Sequence, residues 1–191
     1  HPDYYRYYLS SKLNTDIADI DFSIDDFIQK VNSDLIGKYI NIASRSQNFI
    51  SKLNDGNVMA STLGQDKKLR EKYDFIISHT QSREYSKALK GIMGLADQIN
   101  TYISEQEPWK MAKEDRVREC VEVCSNALHV FKDLTILLHP YIPEITNKLF
   151  EMLNLSEQTY ANLLEGNLVH VEKFKPFVGR LEKASFEDML E

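Results

Sequence analysis

IDDFIQKVNSDLIGKYINIASRSQNFISKL, residues 24–53, decides the fold. Ile24, Phe27, Ile28, Val31, Leu35, Ile42, Phe49 and Leu53 recur at helical spacing, the pattern of an amphipathic helix with one face on a core. Ser23, with Asp26 three residues on, gives a start resembling a capping box. The turn-rich NDGN at 54–57 supplies the stop. The stretch reads as one long helix.

Working outward, residues 2–13 read as a short helix with tyrosines on several sides, interrupted by TDIADIDF. A shorter helix is expected at about 65–80, after the break at Gly64. Ser82 then starts SREYSKALKGIMGLADQINTYISE, whose inner face carries Tyr85, Leu89, Ile92, Met93, Leu95, Ala96, Ile99 and Ile103. Pro108 interrupts this helix, and Glu107 before it is disfavoured from the α region. Helical patterning resumes near Lys110 and runs through Cys120, Cys124, Leu128, Phe131, Leu134 and Leu138; Pro143 suits the first turn of a further helix. Beyond Leu155 the expectation is a short SEQTYANLL helix, an extended LVHVEKFKPF and a last turn at SFEDML. The fold class is therefore all-α: an up-and-down bundle of about five main helices with a short C-terminal extension.

The 191 residues suit one domain with or without a small appendage. No uncharged apolar run approaches the ~20 residues that span a bilayer. The chain opens at His1 inside what reads as a helix, so a longer parent protein is expected. Cys120 and Cys124, four apart on a helical pattern, read as buried thiols of a reducing cytosol, and His129 alone does not complete a metal site. The net charge of −6 argues against a non-specific nucleic-acid binder while leaving room for a small, shaped site.

Catalytic motifs are lacking: the sequence has no GxSxG, HExxH, phosphate-cradling glycine loop or calcium loop, and its five histidines are scattered. Two features stand out instead. Asn41 and Arg45, four apart in NIASR, project along nearly one line at the flank of the apolar stripe, with Gly37 leaving space on the same line. An amide and a guanidinium so placed either satisfy neighbouring carbonyls or read base edges with paired hydrogen bonds. Trp109, the only tryptophan, follows Pro108 and precedes Lys110 and Lys113. It either wedges two helices or offers a stacking face to an unpaired base.

At these residues the sequence resembles the anticodon-binding helical domain of methionyl-tRNA synthetase, a class I aminoacyl-tRNA synthetase. RYYLSSKL resembles the family's entry into the bundle, and DFIQKVNSDLIGKYINIASR resembles its long helix. SREYSKALKGIMGLADQINTYISEQEPWKMAK resembles its next long helix and the recurrent E-x-x-PW-x-x-AK junction. The likeness covers nearly the whole chain.

The resemblance implies recognition of a CAU anticodon. Trp109 would stack on the unstacked wobble cytosine, Asn41 and Arg45 would hydrogen-bond the anticodon bases, and Pro108, Gly37, Lys110 and Lys113 would support them. Gly37 departs from the family, which often has Asn there, so any contact made by that side chain must be absent or replaced. It further implies a cytoplasmic parent that joins methionine to tRNA(Met) using ATP and Mg. The HIGH and KMSKS signatures of that chemistry are not in this sequence, so catalytic residues, metal ligands and cofactors are expected to be none here. Expected partners are the tRNA(Met) anticodon loop and the parent's catalytic domain, with no membrane and no DNA. Residues 1–22 would be the connector from that domain, 23–155 the bundle, and 156–191 a segment packing back on both. The alternatives are the bundle of another class I synthetase, for which NIASR and PWKMAK together are not expected, and a helical protein-interaction module with an exposed apolar groove.

Overall fold

Ser23 begins the long helix as the spacing requires: its hydroxyl accepts from Asp26 N at 3.4 Å, and α2 runs Ile24–Lys30. The computed structural model describes residues 1–15, 19–61, 66–156, 158–165, 168–184 and 186. Within them α1 spans Pro2–Lys12, α3 Asn41–Leu53, α4 Lys67–Gln81, α5 Tyr85–Gln106, α6 Pro108–Lys113, α7 Val117–Leu138 and α8 Pro143–Met152. No named strand occurs among the described residues, only an isolated antiparallel bridge between Asn57 and His170. The break at Gly64 and most of SFEDML lie outside the described residues.

Three details differ from the periodicity. The rod 24–53 is continuous, but its middle, Val31–Ile40, is a π-helix rather than an α-helix. The wider turn brings Gly37 under a carbonyl: a Cβ there would lie 3.1 Å from Asn32 O. Helix α5 begins at Tyr85 rather than Ser82, because Arg83 takes a left-handed φ of 64°. SEQTYANLL is reduced to one 3-10 turn, Tyr160–Asn162, closed by Thr159 and Asn162 in a reciprocal cap.

Helix α7 is the centre. It packs against α3, α5, α6 and α8, so its burial is not confined to the apolar stripe. His129, Lys132, Asp133, Ser125 and Thr135 are buried together with Cys120, Cys124, Leu128, Phe131 and Leu134. Each of these polar groups has a task. Ser125 Oγ accepts from Met59 N at 3.0 Å, and His129 Nε2 bonds Met59 O at 3.0 Å. Lys132 Nζ donates to Asn162 O and Glu165 O at 3.0 and 2.6 Å, and Asp133 accepts from Leu164 N and the Tyr73 hydroxyl. Tyr39 stacks on Phe131 and its hydroxyl bonds Thr135 Oγ1 at 2.6 Å, which fixes the rod to α7.

The rod's first half is held by α1. The Tyr7 hydroxyl donates to the buried Asp34 at 2.7 Å, and that of Tyr8 to Asp26 at 2.9 Å. Asp3, fully buried, accepts from Ile145 N at 2.8 Å and so caps α8. The chain after α8 returns across the molecule. Val58 N and Val171 N form the bridge bonds, and Gly56, at φ 81°, passes so close to His170 that a Cβ would sit 2.6 Å from Nε2. Asn32 then grips the backbone of Leu181 through both its amide atoms, at 2.9 and 2.8 Å.

Two expectations follow from α7. Lys132→Met would leave Asp133 buried beside an apolar chain and two loop carbonyls without their donor. The loss is ~3–5 kcal/mol, read as a lower urea midpoint. His129 provides a pH dependence. Burial, with Lys132 nearby, holds its pKa below the ordinary value, and its buried Nδ1 has no hydrogen-bond partner among the described residues. The unfolded chain therefore takes up a proton near pH ~6.5 that the folded state resists, and stability falls as pH drops below that value. Burial raises the Asp133 carboxyl instead, so its contribution runs the other way on acidification. The difference between wild type and His129→Gln isolates the histidine: urea midpoints at two pH values should converge more closely in the variant.

Candidate nucleic-acid interface

The site starts from a backbone reversal. Glu107, at φ 48° and ψ 54°, is left-handed; it ends α5 and begins α6. This is how the chain resolves the exclusion of Glu107 from the right-handed helical region by the following proline. Pro108 is buried at the first position of α6, and the turn sets Trp109 half-buried, its body against the core and part of its ring open.

Across from it stands the end of the rod. The Arg45 guanidinium carbon lies 5.3 Å from the centroid of the Trp109 ring, within cation–π range. No carboxylate pairs with Arg45 among the described residues; its terminal nitrogens both meet Ser104 Oγ at 3.3 Å. Ser44, Arg45, Asn48, Phe49, Lys52, Ile103, Pro108 and Trp109 line a groove of about 320 Å³. Its floor is apolar, from Phe49, Ile103 and Pro108, and its rim carries an aromatic face, a guanidinium, an amide and an ammonium. That is a surface suited to a flat, polar-edged group.

The sequence candidates separate here. Arg45, Trp109 and Pro108 meet in the groove. Asn41 stands one turn before Arg45 and donates to Asn100 Oδ1 at 3.0 Å. Gly37 does not share the groove. It opens on a second recess, formed with Gln29, Asn32, Ser33, Lys38 and Arg180, because the π-helical stretch winds differently from the α-helix assumed by the spacing. Lys110 and Lys113 are exposed on α6 and form no wall of the groove, and Lys110 is paired with Glu107 at 2.6 Å. Arg116 is likewise held by Glu114 and Glu119. Two of the cations that follow Trp109 in sequence, Lys110 and Arg116, are thus paired with neighbouring glutamates.

Ser44, Asn48, Lys52, Asn100 and Ser104 were not singled out in the sequence. Asn48 and Lys52 continue the line from Arg45 at helical spacing and were within reach of periodicity. Asn100 and Ser104 come from another helix, and only the packing of α5 on the rod brings them here.

Comparison with known proteins identifies the family. Residues 54–180 match the family described as the anticodon binding domain of methionyl tRNA ligase, and residues 1–47 match tRNA synthetases class I (M). The methionine–tRNA ligase of Psychrobacter cryohalolentis is 41% identical over 197 aligned residues, covering all of this chain and 28% of that protein. That of Neisseria meningitidis serogroup C is 40% identical over 196, with the same coverage. The chain thus spans little more than a quarter of the relatives it matches. Among solved structures, free Mycobacterium tuberculosis methionyl-tRNA synthetase overlays with a TM-score of 0.75 at 21% identity, over 95% of this chain and 38% of that one. At that identity the overlay shows a shared fold. With the anticodon-domain match covering residues 54–180 and the relatives covering the chain end to end, this protein belongs to the methionyl-tRNA ligase family, as its anticodon-binding domain.

Proposed function

We propose that the groove between α3 and α6 reads a CAU anticodon, with Trp109 as the stacking platform and Arg45 and Asn41 as the base-edge readers. The observation that carries this reading is the placement of Arg45 over a half-exposed Trp109, free of any carboxylate partner among the described residues. A guanidinium against an indole is the contact that an incoming base replaces: the ring keeps a planar partner, and the arginine gains an acceptor edge. Pro108 fixes the ring's starting angle. Lys52 lies at the rim, where a phosphate would pass. Gly37, Lys110 and Lys113 are assigned no base contact. Residues 1–22 are read as the connector, 23–155 as the binding bundle, and 156–191 as the strap that ties them.

The longer, cytoplasmic parent would join methionine to tRNA(Met) in translation. ATP and Mg would serve that parent's joining chemistry. Both are assigned to the parent's catalytic portion. No helix among the described residues is long and apolar enough to cross a membrane.

The test is a titration of the 191-residue chain with a CAU anticodon stem-loop and with a loop of unrelated anticodon. Trp109→Ala and Arg45→Ala should each cost ~1–3 kcal/mol of CAU binding. The dependence on salt should be shallow, because only Arg45 and Lys52 face the groove; a log–log slope of about −1 to −2 is expected for a single-stranded loop. Equal affinity for the two loops would remove the anticodon reading.

A further inference from the structure

The rod and α5 are joined by three side-chain rungs. Lys38 Nζ meets Asp97 Oδ2 at 2.8 Å, Asn41 Nδ2 meets Asn100 Oδ1 at 3.0 Å, and Arg45 meets Ser104 Oγ at 3.3 Å. Each pair is 59 residues apart, so the two helices run parallel and in register along the groove.

The middle rung has a fixed direction. Asn100 Nδ2 donates to two backbone carbonyls, Lys38 O and Ala96 O, both at 2.9 Å. A carbonyl accepts only, so the NH₂ end of Asn100 is the end that must face them. Its Oδ1 is then obliged to face Asn41, and Asn41 in turn must offer its NH₂ to Asn100. Asn41 Oδ1 is left turned away from α5, with no hydrogen bond among the described residues.

We infer that Asn100 is a positioning residue that sets the polarity of Asn41, so that the Asn41–Arg45 pair reads an amino base and rejects a keto base. This rests on the anticodon reading above and specifies its chemistry. Asn41 presents an acceptor and Arg45, one turn on, presents only donors. Cytosine and adenine offer the complement, an exocyclic amine beside an accepting ring nitrogen. Uracil and guanine offer the reverse, a carbonyl beside a ring N–H, which would set oxygen against Asn41 Oδ1 and N–H against Arg45. An asparagine free to rotate its amide would serve either class. Asn100, which touches no base, removes that freedom.

The experiment titrates the 191-residue chain with stem-loops carrying CAU, UAU, CIU with inosine in place of adenine, and an unrelated anticodon. The two single replacements convert an amine to a carbonyl. Wild type should bind at least one of them about tenfold more weakly than CAU. Asn100→Leu releases Asn41, and that ratio should collapse to below about threefold, with binding to UAU or CIU improved relative to CAU. Asn100→Ser, too short to reach Asn41, should do the same if the leucine variant does not fold. Asn100→Asp keeps an acceptor facing Asn41 but loses both carbonyl bonds. It should retain the ratio while its thermal midpoint falls, the opposite pairing of effects. A ratio unchanged in Asn100→Leu or Asn100→Ser, or uniform weakening toward every loop, overturns the inference. Wild type that prefers CAU to the unrelated loop yet tolerates both keto replacements overturns it too, and leaves the anticodon reading standing. Wild type with no preference between CAU and the unrelated loop overturns both.

Discussion

The fold depends on a helix whose polar side chains are buried. Helix α7 lies inside the bundle, and Ser125, His129, Lys132 and Asp133 on it each bond the backbone of another segment. Ser125 and His129 hold Met59 from both sides, while Lys132 and Asp133 hold residues 162–165. An irregular segment laid against a core would strand its N–H and C=O groups, each costing on the order of 1–3 kcal/mol. Here the central helix supplies the missing donors and acceptors. Met59 and residues 162–165 are thereby seated on the central helix through their own backbone.

The same arrangement explains what the sequence disclosed and what it did not. The rod's limits were legible because local chemistry sets them: Ser23 caps, NDGN stops, and the apolar period needs only one helix to be visible. The reversal at Glu107–Pro108 was legible for the same reason. The polar residues of α7 were not, since a lysine or aspartate off the apolar stripe reads as solvent-facing unless the helix is known to be surrounded. Nor was the π-helical winding of Val31–Ile40, which keeps a helical pattern while shifting its phase, and so separates Gly37 from the line of Asn41 and Arg45. Trp109 and Arg45 could be named one by one, but their 5.3 Å approach joins residues 64 positions apart, beyond any periodicity.

The electrostatics of the groove fit the composition. A chain of net charge −6 cannot gather RNA by charge alone, and around Trp109 it does not try to. Lys110 and Arg116 are paired to glutamates, and Lys38 to Asp97. Among the described residues, a guanidinium on an indole and one rim ammonium line the groove without a carboxylate partner. A groove so built suits stacking and edge matching, which discriminate, better than phosphate attraction, which does not.

The π-helical stretch sets the angle between the two ends of the rod. Before it, Tyr8 ties the helix to α1 through Asp26, and Tyr7 holds the stretch itself through Asp34; beyond it, Asn41 bonds Asn100 and Arg45 lies over Trp109 at the groove. In an α-helix a residue gained or lost between the two ends would swing one against the other by about 100°. A π turn already accommodates an extra residue, so a change of length there is absorbed as a change of winding. Tyr39 on Thr135 and Lys38 on Asp97 hold that winding in place, so the angle between the α1 end and the Arg45 end is set within the stretch itself.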